Sequence, residues 1–251
     1  MKQNRLIRYT IWGILIICPW ILTSCDMFHE DLPECRLFVK FKYDYNMLFT
    51  DAFHTQVELY VFDKDGKFLF SQVEEGEALA TGNYQMEVKL PIGEYQFLAW
   101  AGARDSYDIY TPRGENTITD MRLRLKREES LIISKELEPL WYGYISDVDF
   151  TGTSHQTETI DLIKDTNKIR FVFQGYSDSY IRATSGDNWN VNMNDYEYEI
   201  IESNGHLAYD NSLLEDDVLS FRPYYMEQKS SSAAAVELNT MRLMEDRPTR
   251  F

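Results

Sequence analysis

The sequence predicts an all-β protein built as a β-sandwich. Three observations predict it. Apolar and polar residues alternate with period two, turn signals recur between short apolar runs, and no amphipathic helix of ordinary length appears.

The alternation begins at Leu37. Leu37, Val39, Phe41, Tyr43 and Tyr45 fall on one face and Lys40, Lys42 and Asp44 on the other, with Phe38 as the exception. Residues 47–55 read as one short helical turn. Residues 57–62 (VELYVF) form a second strand, Asp63-Lys64-Asp65-Gly66 turns the chain, and residues 67–72 return as a third. The same DKDG segment could open a calcium loop whose twelfth residue is Glu74. Phe68, Leu69 and Phe70 then occupy places where ligands and polar spacers belong, so a hairpin turn is the reading taken.

Residues 83–90 read as a strand, Pro91-Ile92-Gly93 as a turn, and residues 94–100 (EYQFLAW) as a strongly apolar strand. Residues 121–126 (MRLRLK) alternate cleanly, with Arg122, Arg124 and Lys126 outward on a solvated face. Further strands are expected at 140–146, 157–163, 169–174 and 233–244. Residues 196–201 and 206–209 read as a hairpin closed by Ser203-Asn204-Gly205. A domain boundary is expected in the polar stretch near 150–157. The chain then divides into a leader (1–24), an acidic tether (25–35), a first sandwich (36–155) and a second (156–251).

The leader has a basic start (Lys2, Arg5, Arg8) and an apolar run of twelve residues from Ile11 to Leu22, interrupted by Pro19. A membrane span needs about 20 apolar residues, so a signal peptide is the better reading. Leu22-Thr23-Ser24-Cys25 resembles a bacterial lipobox. Cleavage is expected between Ser24 and Cys25. The thiol of Cys25 would carry diacylglycerol and its freed amine a further acyl chain, because one chain alone anchors only marginally. Asp26, Glu30, Asp31 and Glu34 make the following tether acidic. With Cys25 acylated, Cys35 is expected to be a small buried hydrophobe.

Composition narrows the function. The 41 acids and 25 bases give a net charge of −16, which falls to −19 once the leader, with three bases and no acid, is removed. Nucleic-acid binding needs a basic stripe instead. His29, His54, His155 and His206 share no metal-ligand spacing. No nucleophile elbow, P-loop, zinc-protease helix or dinucleotide fingerprint occurs. No catalytic residue, metal or cofactor is expected.

Four segments together resemble the FimB-like fimbrial anchor lipoproteins of Bacteroidales: residues 25–47, 51–63 (DAFHTQVELYVFD), 90–102 (LPIGEYQFLAWAG) and 162–175 (LIKDTNKIRFVFQG). The resemblance implies two tandem transthyretin-like β-sandwich domains at the base of a fimbrium. It implies outer-membrane lipid as a partner through Cys25, fimbrial stalk subunits as protein partners, control of fibre length and no small-molecule substrate. In some Bacteroidetes lipoproteins an acidic tether of this kind directs the protein to the cell surface. Family chains usually continue through more strands than this one has before Phe251, so a complete and a truncated second sandwich both stay open. The competing reading is a surface glycan-binding lipoprotein beside a nutrient importer, with Tyr107, Tyr110 and Trp189 stacking on sugars.

Overall fold

The computed structural model describes residues 34–43, 56–80, 83–175 and 192–243. The expected helical turn at 47–55 therefore lies outside the described residues. By its contacts the chain divides into Met1–Cys35 and Arg36–Phe251. Of the first unit only Glu34 and Cys35 are described.

The second unit is all-β, as the alternation predicts. In chain order its strands are β1 (Leu37–Lys42), β2 (Gln56–Asp63), β3 (Phe68–Glu75), β4 (Met86–Val88), β5 (Gly93–Ala101), β6 (Tyr107–Tyr110), β7 (Arg122–Leu125), β8 (Ile132–Ile133) and β9 (Trp141–Phe150). They continue as β10 (Gln156–Asp161), β11 (Ile163–Lys164), β12 (Thr166–Gln174), β13 (Ile200–Glu202), β14 (His206–Ala208), β15 (Leu219–Phe221), β16 (Tyr225–Ser230) and β17 (Ala233–Met241). A single-turn helix α1 (Glu77–Ala80) follows β3.

A five-stranded sheet, β11-β9-β5-β2-β3, forms the middle of the unit. Val57, Leu59 and Val61 of β2 share one face with Phe97 and Ala99 of β5 and pack against the sheet β10-β1-β4. Tyr60, Phe62, Leu98, Trp100 and Tyr142 project from the opposite face into a second core. That core is completed by Leu123 and Leu207 of the sheet β14-β7-β6, Ile200 and Phe221 of β13-β15-β8, and Val236 and Leu238 of β12-β17-β16. Both faces of the central strands are thus buried. This is why VELYVF and EYQFLAW read as nearly continuous apolar runs.

The local turn chemistry matches the sequence. Asp63 Oδ1 accepts hydrogen bonds from the amides of Asp65 (2.9 Å) and Lys67 (2.8 Å), and Gly66 sits at φ +78°. The Asp63 carboxylate holds the hairpin and is not set up as a calcium ligand. A bulge between Val61 and Phe62 pairs them with Phe70 and Phe68. Phe70 packs on the first core, Phe68 packs on the second, and Leu69 is left exposed. The exceptional Phe38 stacks on His155, with ring centroids 4.6 Å apart. Gly102 has φ +76°, and a Cβ there would lie 1.9 Å from the Pro139 carbonyl oxygen, so only glycine fits where β5 leaves the sheet.

Several expectations change. The strand at 83–90 shortens to β4. Residues 200–208 are not a hairpin: β13 pairs with β15, and β14 pairs with β7. Asn204 is fully buried between them. Its Nδ2 donates to the carbonyls of Met241 and Arg242, each at 3.2 Å, so it stitches the crossing to the end of β17. β10 follows the boundary expected at 155, yet it pairs in parallel with β1 along its whole length. We propose that β10 and β11 belong with the first sandwich, whose strands β1 and β9 they pair with.

One buried polar node joins the parts of the second core. Asp165 donates its amide to Leu140 O (2.8 Å), and its carbonyl accepts from the Arg242 amide (2.6 Å). Its Oδ1 accepts from Asn211 Nδ2 at 2.9 Å and lies 3.6 Å from Arg242 Nη1. Burial pushes the Asp165 carboxyl up to about 6, against the opposing pull of Asn211 and Arg242. An acid whose folded pKa is raised favours the folded state as pH falls from about 6 toward the usual carboxylate value near 4, and that gain is absent above 6. Wild type should therefore gain about 1 kcal/mol over Asp165→Asn between pH 7 and pH 5 in denaturant unfolding. Parallel pH profiles of the two proteins would exclude this role.

Candidate functional site

The predicted lipidation and cleavage residues, Cys25 and Ser24, lie outside the described residues, and so does Trp189. The described chain begins where the tether enters the fold. Glu34, Cys35 and Arg36 are exposed, and Leu37 is the first buried residue. Cys35 is therefore not the buried hydrophobe expected of it. It shares the alternation of Leu37 but precedes the first residue of β1, where no sheet yet covers it. Arg36 Nε stands 3.8 Å from Glu87 Oε1 on β4, an exposed pair of small energetic weight.

The strand entered from the tether has neighbours on both sides. β1 pairs with β10 over Leu37–Lys42 and with β4 over Leu37–Val39. Alternate side chains of β1 (Leu37, Val39 and Phe41) face the first core. Each fully buried side chain of this size contributes about 1.5–3 kcal/mol. The tether is thus rooted in an interior strand by main-chain bonds and by burial together.

The long sheet edges differ in chemistry. β12 presents Lys168 and Arg170, which pair with Glu237 on β17 at 3.3 and 3.1 Å. Charges of this kind blunt an edge. β3 presents Leu69 and Val73, each nearly half exposed, with Ser71 between them. Among the described residues no strand pairs with the far side of β3.

The basic stripe of β7 is matched by acids. Arg124 Nη2 lies 3.2 Å from Asp217 Oδ2, and Lys126 Nζ lies 3.5 Å from Asp108 Oδ1. Neighbouring Arg127 is buried and donates to fully buried Asp216 at 2.6 Å. Such a pair is costly to break from one side. Among the described residues no group of three or more His, Cys, Asp or Glu could hold a metal ion. His155 stacks on Phe38, and His206 Nδ1 lies 3.2 Å from Glu215 O.

Of the expected sugar-stacking aromatics, Tyr107 and Tyr110 are among the described residues. Tyr107 is buried and donates its hydroxyl to Glu138 O at 2.6 Å. Burial also raises its phenol well above the ordinary tyrosine range. Tyr110 is exposed and accepts from Asn116 Nδ2 at 3.1 Å. Sequence reasoning missed a different aromatic group. Phe173 of β12 meets Tyr196 and Tyr198, from the segment before β13, beside a small groove, and Phe171 packs on Phe173. The period-two spacing of each pair was visible, but their meeting depends on tertiary folding.

The comparisons agree with this architecture. The model of the family "Fimbrillin-A associated anchor proteins Mfa1 and Mfa2" matches residues 32–251. No curated protein matches the chain significantly. Among solved structures, a Bacteroides thetaiotaomicron protein provisionally described as polysaccharide-binding is 66% identical, with a TM-score of 0.76 over 86% of this chain and 75% of that one. A Bacteroides ovatus protein provisionally described as an adhesin is 27% identical, with a TM-score of 0.72 over 88% and 73%. The fimbrial anchor protein Mfa2 of Porphyromonas gingivalis is 18% identical, with a TM-score of 0.64 over 85% and 75%, a likeness of fold. With the family model spanning nearly the whole described sequence, the chain belongs to the fimbrillin-A associated anchor proteins, a family of fimbrium-associated structural proteins.

Proposed function

We propose that this protein anchors fimbriae to the outer membrane and limits their length, with Cys25 carrying the lipid. The observation that carries this reading is the family match over residues 32–251, immediately after a leader that ends in Leu22-Thr23-Ser24-Cys25. Two or more acyl chains on Cys25 supply stable attachment, at about 0.8 kcal/mol per buried methylene. Eleven residues from Cys25 to Cys35 reach at most about 36–40 Å when extended. Tension on that tether enters at β1, where main-chain bonds to β10 and β4 share it.

A fibre base also needs a joint to the stalk. We assign it to strand addition on β3. Main-chain hydrogen bonds supply affinity in this mode, and alternate side chains supply register. On β3 the exposed Leu69 and Val73 flank uncharged Ser71, whereas on β12 the exposed Val172 follows the charged Lys168 and Arg170, and this favours β3.

A second reading, glycan binding, is favoured by the description given to the 66% identical relative. It is compatible with anchoring, since a tethered sandwich has surface to spare for a ligand.

Two experiments separate the parts of the anchoring reading. In Cys25→Ser, palmitate labelling should be lost, the protein should leave the membrane fraction, and fimbriae should appear in the culture fluid. Retained labelling or a retained membrane pool would refute lipidation at Cys25. The double variant Leu69→Lys, Val73→Lys should stay membrane-bound, because both positions are surface ones. It should nevertheless lose most co-purifying stalk subunit. Fibres of wild-type number and length on that strain would rule out the β3 joint.

A further inference from the structure

The aromatic group beside β12 has the composition of a ligand site. Tyr196 lies nearly parallel to Phe173, with an interplanar angle of 7° and ring centroids 6.1 Å apart. Tyr198 packs on both, at 5.4 Å from Phe173 and 6.5 Å from Tyr196. The Tyr198 hydroxyl donates to Met193 O at 3.1 Å, which fixes its ring. Tyr196 is nevertheless 58% exposed. A flat ring packed beside Phe173 and Tyr198 and left open to solvent offers a platform on which a ligand can settle.

Polar groups line the same groove. Ser220 Oγ donates to Glu199 Oε1, and Arg222 Nε reaches Ser220 Oγ at 3.3 Å. Arg222 Nη2 lies 3.5 Å from Glu199 Oε1. The guanidinium and the carboxylate are therefore oriented by shared bonds while remaining partly exposed. Pro223 and Met226 complete an apolar wall.

We propose that this groove binds a neutral pyranose ring, stacked on Tyr196 and hydrogen-bonded by Glu199 and Arg222. A pyranose presents one face of C–H groups, which suits an aromatic platform, and a rim of hydroxyls. A carboxylate accepts from such hydroxyls and a guanidinium donates to them in pairs. The groove encloses about 170 Å³, below the roughly 300 Å³ at which clefts for drug-sized ligands begin, so it suits a single sugar unit. Glu197 and Glu199 outnumber Arg222 at the site, and the chain carries a net −16, so anionic sugars are disfavoured. The site deepens the second reading above and is independent of lipid anchoring.

The test uses the detergent-solubilised full chain and the methyl glycosides of glucose, galactose, mannose and N-acetylglucosamine, with sialic acid as the anionic control. Saturation-transfer NMR and calorimetry should show millimolar binding of at least one neutral glycoside and none of sialic acid. Tyr196→Ala should weaken that binding at least tenfold, Glu199→Gln should weaken it less, and Tyr196→Trp should retain it. Circular dichroism checks that the variants stay folded, as expected for exposed positions. Glycoside binding that survives Tyr196→Ala would overturn this site while leaving glycan binding elsewhere intact. No binding of any neutral glycoside would overturn both. Binding of a proline-rich decapeptide in place of a sugar would reassign the groove to peptide recognition and refute the proposal.

Discussion

Everything in this unit leans on β2, β5 and the start of β9 being buried on both faces. β2, β5 and β9 present one set of side chains to the β10-β1-β4 sheet and the other set to the second core. Tyr60, Trp100 and Tyr142 therefore pack on one another across the face opposite Leu59 and Ala99. A one-residue slip in register would exchange the two sets. Aromatic residues would then crowd the space filled by alanine, and both cores would fail together. The bulge at Val61 and Phe62 is the one place where β2 and β3 shift register, and it lets Phe68 and Phe70 serve different cores.

Two of the polar residues buried in the interior, Asn204 and Asp165, sit at crossings between sheets. Asn204 ties the passage from β13 to β14 onto the end of β17. Asp165 ties the start of β12 to Leu140, Asn211 and Arg242. Each sits where the chain changes sheets and main-chain groups would otherwise be buried without partners. Burial of Asp165 raises the cost of its charge, and the surrounding donors recover part of that cost.

The features proposed to carry function, by contrast, sit at the periphery. Arg36 leads directly into β1, an interior strand whose Leu37, Val39 and Phe41 face the first core. The edge of β3 around Leu69 and Val73 and the aromatic groove beside β12 are separate surface features, and neither contributes a fully buried side chain. A scaffold of this kind accepts changes at its edges without disturbing the double core. The proposed anchoring role and the proposed ligand site need no compromise in packing.

Much of this was readable from residues alone, and the reasons are physical. Alternation of period two fixes strand existence, so β1, β2, β5, β7, β9, β12 and β17 follow from local sequence. Asp-Gly after an apolar run fixes the β2–β3 turn, because its geometry is local. Ser203-Asn204-Gly205 looked equivalent, but β13 and β14 found different partners, since a turn signal says nothing about which sheet a short strand can reach. The exposure of Cys35, the burial of Tyr107 and the meeting of Tyr196 with Phe173 were decided in the same way. The sequence by itself determined the all-β class, the main strands and the candidate lipid site at Cys25. Only the tertiary structure decided strand partners, which cores they share and which aromatics stay exposed, because pairing and burial join residues far apart in the chain and no local pattern encodes them.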